Sequence, residues 1–244
     1  MRSSRWHLCN GRGGSSPDDI EYAASTLQVL CLKQSDGPLF GVVSRLVHQK
    51  GLDVIAEVAD AIVKDGGQIA ILGLGDPETE HMLSRLARSH RGHIALLNGF
   101  NEPMARRIAA ASHFFLMPSR FEPCGLMQMR AQRYGSLPIA HATGGLADTI
   151  EDGTTGFLFS DFSAEGLHAA CRRAFEVFAD ARMLNEMRQT AMSRRFDWSV
   201  AAEHYDALYR QLISQHPVAR PRLMPPAMMR PMRRQRSDQL RAVA

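Results

Sequence analysis

No run of about eighteen apolar residues occurs anywhere in the 244-residue chain, so the sequence predicts no membrane-spanning helix. The basic start, Met1-Arg2-Ser3-Ser4-Arg5-Trp6, is not followed by an apolar segment, which argues against a secretory signal. Cysteine is scarce, and Cys9, Cys31, Cys124 and Cys171 show neither metal-site spacing nor a disulfide framework. A reduced, cytoplasmic setting is the expectation. His48, His113 and His141 have no ligand spacing either, so no metal and no cofactor is expected. A P-loop and a serine nucleophile elbow are both missing. Gly73-Leu74-Gly75 lacks the third glycine of a dinucleotide fingerprint, and Asp76-Pro77 follows it, which reads as a tight turn entering a helix.

What is present begins with an apolar fraction of 45%, enough for a sizeable core. The net charge of +4 is misleading. After His216 the chain carries seven arginines against one aspartate, Asp238, so the remainder is slightly acidic. That tail, residues 216–244, is rich in Pro, Met and Arg without period and is expected to be disordered. Arginines there would bind nucleic acid electrostatically, but no aromatic interleaving accompanies them and a nucleic-acid role is not expected.

Residues 1–37 lack a clear pattern and read as a leader, with a Gly/Ser/Arg loop at 10–16 and one amphipathic helix at 18–31. From Pro38 the character changes. Short apolar runs at 39–44, 68–72, 93–97, 113–117, 137–140 and 156–159 predict strands. Between them lie helical patterns from Gly51, from Glu78 to Ser89, from Glu102 to Ala111, and from Gly125 to Tyr134. Strands alternating with helices at this spacing predict an α/β fold with a doubly wound parallel sheet. Two helices follow at 164–178 and 181–195. A third is capped by Phe196-Asp197-Trp198-Ser199 and carries an apolar stripe of Ala201, Tyr205, Leu208 and Leu212. The folded lobe is expected to span 38–215.

The chemistry gathers at the predicted strand ends. Met117-Pro118-Ser119-Arg120-Phe121-Glu122-Pro123-Cys124-Gly125-Leu126 places Glu122 on a strand-to-helix turn, beside free N–H groups that favour anions. A carboxylate there suits a ligand with phosphates for the N–H groups and hydroxyls for the Glu; it also suits a helix start that needs a negative charge. Arg45 and Lys50 bracket the first strand-to-helix loop and fit a diphosphate, or form a solvated surface pair. Phe100 follows the third strand and either stacks on a nucleobase or packs in the core. Thr143-Gly144-Gly145 turns into a helix at another strand end. It allows close approach of a ligand or simply makes a tight turn.

Taken in order, Phe40-Gly41-Val42-Val43-Ser44-Arg45-Leu46, Gln49-Lys50-Gly51-Leu52-Asp53, Pro118 to Leu126, Tyr134-Gly135 and Thr143 to Thr149 closely resemble bacterial glycogen synthase and plant starch synthase. The resemblance runs from about Pro38 to about Gln215. It implies the Rossmann-like C-terminal lobe of a two-lobed GT-B glycosyltransferase, moving glucose with retention from ADP-glucose to the non-reducing end of an α-1,4-glucan. By that resemblance Arg45 and Lys50 hold the diphosphate without a metal and stabilise departing ADP. Glu122 accepts hydrogen bonds from the glucose, and the backbone of Cys124, Gly125 and Leu126 cradles sugar and phosphate. Phe100 stands where the family usually has a tyrosine against the adenine.

The departures are specific. Met127 replaces a phosphate-holding threonine of the family, and Arg130 replaces a tyrosine. Nothing in the chain corresponds to the family's N-terminal lobe, which aligns the acceptor, and such alignment can supply on the order of 7–11 kcal/mol of barrier reduction. The resemblance therefore leaves two readings: a glucosyltransferase completed by a separate N-terminal lobe, or a non-catalytic ADP-sugar-binding module or gene remnant. The terminal helix would meet another lobe or a second copy through its apolar stripe.

Overall fold

The computed structural model describes residues 25–215. Six parallel strands form one sheet: β1 (Leu39–Val43), β2 (Gln68–Gly73), β3 (Ile94–Asn98), β4 (Phe114–Met117), β5 (Leu137–His141) and β6 (Phe157–Phe159). Their spatial order is β3-β2-β1-β4-β5-β6. Chain order reverses between β1 and β4, and Phe40 pairs there with Phe114 and Gly41 with Phe115. Such a reversal opens a crevice at the carboxyl ends of the two strands, the usual ligand position in an open α/β sheet.

Strand residues alternate between two cores. Phe40, Val42, Ile69, Ile71, Phe114 and Leu116 face one side, while Leu39, Ala70 and Leu72 face the other. Burial on both faces is why these strands read as unbroken apolar runs rather than as alternating ones.

Helices α1 (Leu52–Lys64), α2 (Pro77–Ser89), α6 (Ala164–Ala179) and α7 (Ala181–Ser193) supply residues to the first core, and α3 (Glu102–Ala111) to the second. Leu52, Ile55, Val58, Ala59 and Ile62 give α1 its buried stripe. The helix starts are capped as their sequences dictate. The side chain of Asn101 accepts from the Met104 amide, Ser163 from Gly166, and Asp180 from Arg182 and Met183. Two short helices, α4 (Met127–Arg133) and α5 (Gly144–Thr149), follow β4 and β5.

The predicted lower boundary of the folded lobe needs correction. Residues 25–29 are helical, and Leu27, Leu30 and Leu32 are buried with Leu39, Ala70 and Ile108. This segment covers the face that α3 alone leaves open, so the fold includes residues well before Pro38. Residues 18–24 of the predicted 18–31 helix, the 10–16 loop and the tail at 216–244 lie outside the described residues, and residues 30–31 form a turn rather than the predicted helix end. Residues from Phe196 onward form a separate unit. Within it α8 (Trp198–Gln215) buries no residue, and Tyr205, Leu208 and Leu212 of its predicted stripe are all exposed. Among the described residues no helix is long and apolar enough to cross a membrane.

Candidate functional site

The β1/β4 reversal carries a cleft of about 210 Å³ whose lining includes Ser44, Arg45, Lys50, Glu122, Gly125, Leu126 and Met127. Arg45 and Lys50 arrive on the loop after β1, and Glu122 on the loop after β4. The Lys50 ammonium donates to Glu122 Oε2 in a close ion pair, with side chains only 16% and 10% exposed. Ser119 Oγ donates to the same carboxylate oxygen at 3.3 Å. Lys50 carries three donors, and among the described residues only the one to Glu122 is used. Arg45 is exposed, and its guanidinium donates to Gln49 Oε1 at 3.4 Å.

The two loops are bolted together beneath this pair. Arg120 N–H donates to the Gln49 carbonyl at 2.9 Å, and Gln49 Nε2 donates to the Phe121 carbonyl at 2.8 Å. The Arg120 guanidinium forks onto Asp53 at 2.9 and 2.6 Å and also donates to the His48 carbonyl at 2.7 Å. Its hydrogen bond holds the Asp53 carboxyl below the usual carboxylate range, against an opposing push from partial burial, and the same hydrogen bond, aided by the carboxylate charge, raises Arg120 in turn. The same guanidinium lies 4.5 Å from the centre of the Phe162 ring. His141 Nδ1 donates to the Ser119 carbonyl at 2.9 Å, which assigns its tautomer because a carbonyl only accepts.

The glycine turn after β5 meets this loop rather than the cleft. Gly145 N–H donates to the Glu122 carbonyl at 2.9 Å. A Cβ on Gly144, whose φ is +44°, would lie 2.2 Å from the Glu122 carbonyl oxygen, and one on Gly145 2.0 Å from that of Cys124. Both positions require glycine because backbone meets backbone there. Thr143 precedes them as the residue before α5, and its hydroxyl caps nothing. The N–H groups of Gly125, Leu126 and Met127 meet no acceptor among the described residues.

Arg45, Lys50, Glu122, Gly125 and Leu126 thus line one cleft, with Cys124 exposed on the same loop. Thr143, Gly144 and Gly145 do not line it. Phe100 is 85% exposed beyond the carboxyl end of β3, so of its two readings core packing is excluded. Met127 lines the cleft, and its side chain packs against the apolar cluster of Ala109, Phe115 and Ala131. Arg130 points elsewhere, donating to Glu102 at 2.9 Å. Sequence reasoning passed over the Arg120–Asp53 fork and the buried amide of Gln128, whose Nε2 donates to the carbonyls of Cys124 and Gly125 at 2.9 and 3.0 Å. The one available signal for Gln128 was its place on the inward side of a short helix.

Residues 31–192 match the family described as Glycosyl transferases group 1. The chain is 53% identical over 195 residues to the glycogen synthase of Xanthomonas campestris pv. campestris strain 8004, covering 80% of this chain and 41% of that protein. It is 56% identical over 185 residues to the glycogen synthase of Pseudomonas syringae pv. syringae, covering 76% and 38%. The catalytic domain of starch synthase IV from Arabidopsis thaliana, solved bound to ADP and acarbose, superposes with a TM-score of 0.74 at 31% identity, covering 86% of this chain and 47% of that one. The chain therefore spans about two fifths of the length of the glycogen synthases it matches. Its parallel sheet with helices on both faces is the Rossmann-like lobe of a GT-B glycosyltransferase, and the chain belongs to the Glycosyl transferases group 1 family.

Proposed function

We propose that this chain is the donor-binding lobe of a retaining hexosyltransferase of the glycogen synthase type, acting on ADP-glucose and an α-1,4-glucan in the cytoplasm. The observation that carries the reading is the convergence of Arg45, Lys50 and Glu122 on one cleft at the strand-order reversal. Two cations and a carboxylate match a ligand with a diphosphate at one end and hydroxyls at the other.

In this reading the diphosphate lies against Arg45, Lys50 and the backbone N–H groups of Cys124, Gly125 and Leu126. Glu122 accepts from the glucose hydroxyls, oriented by Lys50 and Ser119. As the bond between glucose C1 and the diphosphate oxygen breaks, negative charge collects on the departing ADP. The unused Lys50 donors and the Arg45 guanidinium stabilise that charge more than they stabilise the bound donor, which lowers the barrier. The exposed Phe100 ring stacks on the adenine. Thr143, Gly144 and Gly145 act by seating the Glu122 loop.

Met127 lines the cleft where the resemblance puts a phosphate-holding threonine, and this supports a second reading, an ADP-sugar-binding module that transfers nothing by itself. In the first reading an acceptor-side lobe, or a second copy meeting the apolar stripe of α8, completes the site. Calorimetric titration of ADP and ADP-glucose into the chain tests the shared part. Arg45→Ala is expected to weaken ADP tenfold or more, equivalent to about 1.4 kcal/mol. Glu122→Ala is expected to weaken ADP-glucose more than ADP. A folded chain that binds neither nucleotide overturns the proposal, and binding without glucan elongation selects the second reading.

A further inference from the structure

The loop that carries Glu122 is held from behind by side chains that never reach the cleft. Gln128 is fully buried. Its two Nε2 hydrogens are shared among three acceptors: the Cys124 carbonyl at 2.9 Å, the Gly125 carbonyl at 3.0 Å and Thr149 Oγ1 at 3.1 Å. Two of these are carbonyls, which accept only, so the atom facing them is the amide nitrogen. Thr149 passes the connection on, its hydroxyl donating to the Gly145 carbonyl, and Gly145 N–H donates to the Glu122 carbonyl at 2.9 Å. The carbonyls of Glu122, Cys124 and Gly125 are therefore all tied to one buried network. A peptide whose carbonyl is tied on one side presents the following N–H on the other. Tying Cys124 and Gly125 orients the N–H groups of Gly125 and Leu126, which stay without an acceptor among the described residues.

Packing alone does not explain the amide. Gln128 Oε1 is buried without a partner among the described residues, a cost that an apolar side chain of the same length avoids. Gly125 has φ +71° and a Cβ there would lie 2.5 Å from Gln128 Oε1, so the loop and the amide are fitted to each other. We infer that Gln128, braced by Thr149, is a positioning residue that fixes the Cys124–Gly125 peptides so that the loop's N–H groups and the Glu122 carboxylate meet the donor in one arrangement.

The effect on donor affinity rests on the donor-binding reading above; the effect on loop order does not, and the two are measured separately. Backbone 15N relaxation of the whole chain reports order at Gly125, Leu126 and Met127, with Ile69 and Ile71 of β2 as the control. Order parameters of about 0.85 are expected in the wild type, falling below about 0.6 in Gln128→Glu at pH 8. A buried carboxyl ionises late, and its protonated form carries one O–H donor. Acidifying Gln128→Glu to pH 5.5 should therefore restore order, whereas Gln128→Met, with no donor, should stay loose at both pH values. ADP-glucose affinity should follow the same pattern, at least tenfold below the wild type in Gln128→Glu at pH 8 and within threefold of it at pH 5.5. Loop order unchanged in Gln128→Glu and Gln128→Met overturns the inference whatever the affinities. A loop that loosens in a chain whose wild type binds no ADP-glucose upholds the positioning role and overturns the donor-binding reading instead. A loop that loosens while ADP-glucose affinity is unchanged overturns the inference for the donor. Should Gln128→Met fail to fold, the two pH states of Gln128→Glu decide, because they share one fold and differ by one proton.

Discussion

Lys50 and Glu122 stand 72 residues apart in the sequence and form one ion pair across the β1/β4 reversal. The pair joins the first strand-to-helix loop to the fourth and is mostly withdrawn from water. Removing one member of such a pair leaves the other desolvated and uncompensated. Lys50→Ala is therefore expected to cost about 3 kcal/mol of unfolding free energy in urea. Adding Glu122→Gln should recover part of that loss, because the neutral amide no longer needs a counter-charge. A double variant less stable than Lys50→Ala alone would contradict this account.

The glycine turn after β5 gives a sharper steric test. A methyl group at Gly145 would lie 2.0 Å from the Cys124 carbonyl oxygen, a backbone atom with little room to yield. Gly145→Ala should destabilise the fold by about 1–3 kcal/mol and weaken ADP by displacing the loop after β4. Alanine at Gly66, where a Cβ meets nothing within 4 Å, provides a contrast in sterics although its φ of +89° still carries strain. Thermal unfolding with ADP titration on the same samples separates the two effects.

The doubly wound sheet was legible because its central strands are buried on both faces. Runs such as Gln68 to Leu72 and Phe114 to Met117 then carry no polar alternation, and helical patterns fill the gaps between them. That Arg45, Lys50 and Glu122 lie at one edge of the sheet was legible for a related reason, since charged residues just past an apolar run fall at the carboxyl edge of a parallel sheet. Leu27, Leu30 and Leu32 were not legible as core. Their segment is short, and its partners Leu39, Ala70 and Ile108 come from three distant elements. The Arg120–Asp53 fork spans 67 residues with no periodic trace. Gly144 and Gly145 announced a turn, but only the structure shows that they meet the carbonyls of Glu122 and Cys124.

The Arg120–Asp53 fork makes stability depend on pH in one direction. Arg120 holds the Asp53 carboxyl below its ordinary range, so folding favours the charged form. The stabilisation is fully present above about pH 4, the ordinary carboxylate value, and is lost as pH falls through the lowered one. With the Asp53 side chain 38% exposed, solvent screening limits the contribution to about 1 kcal/mol. Wild type and Asp53→Asn should differ by that amount between pH 5 and 8 and converge as pH falls through the lowered Asp53 value. A difference that widened in acid would exclude this pair as its source.

Thiol chemistry separates the cleft from the core. Cys124 is exposed on the Glu122 loop, whereas Cys171 is fully buried on α6 and burial pushes its thiol up to about 12. At pH 8 that leaves about one Cys171 thiolate in ten thousand, and no path for a reagent to reach it. In a Cys9→Ser chain, iodoacetamide at pH 8 should modify Cys31 and Cys124 and spare Cys171 until the chain is unfolded. ADP-glucose should slow modification of Cys124 while leaving Cys31, itself exposed, as an internal standard. Mass spectrometry of the digested chain reads all three sites at once. Protection of Cys31 and Cys124 to the same degree would mean that the nucleotide acts on the chain as a whole, and protection of Cys124 alone would localise the donor to the loop after β4.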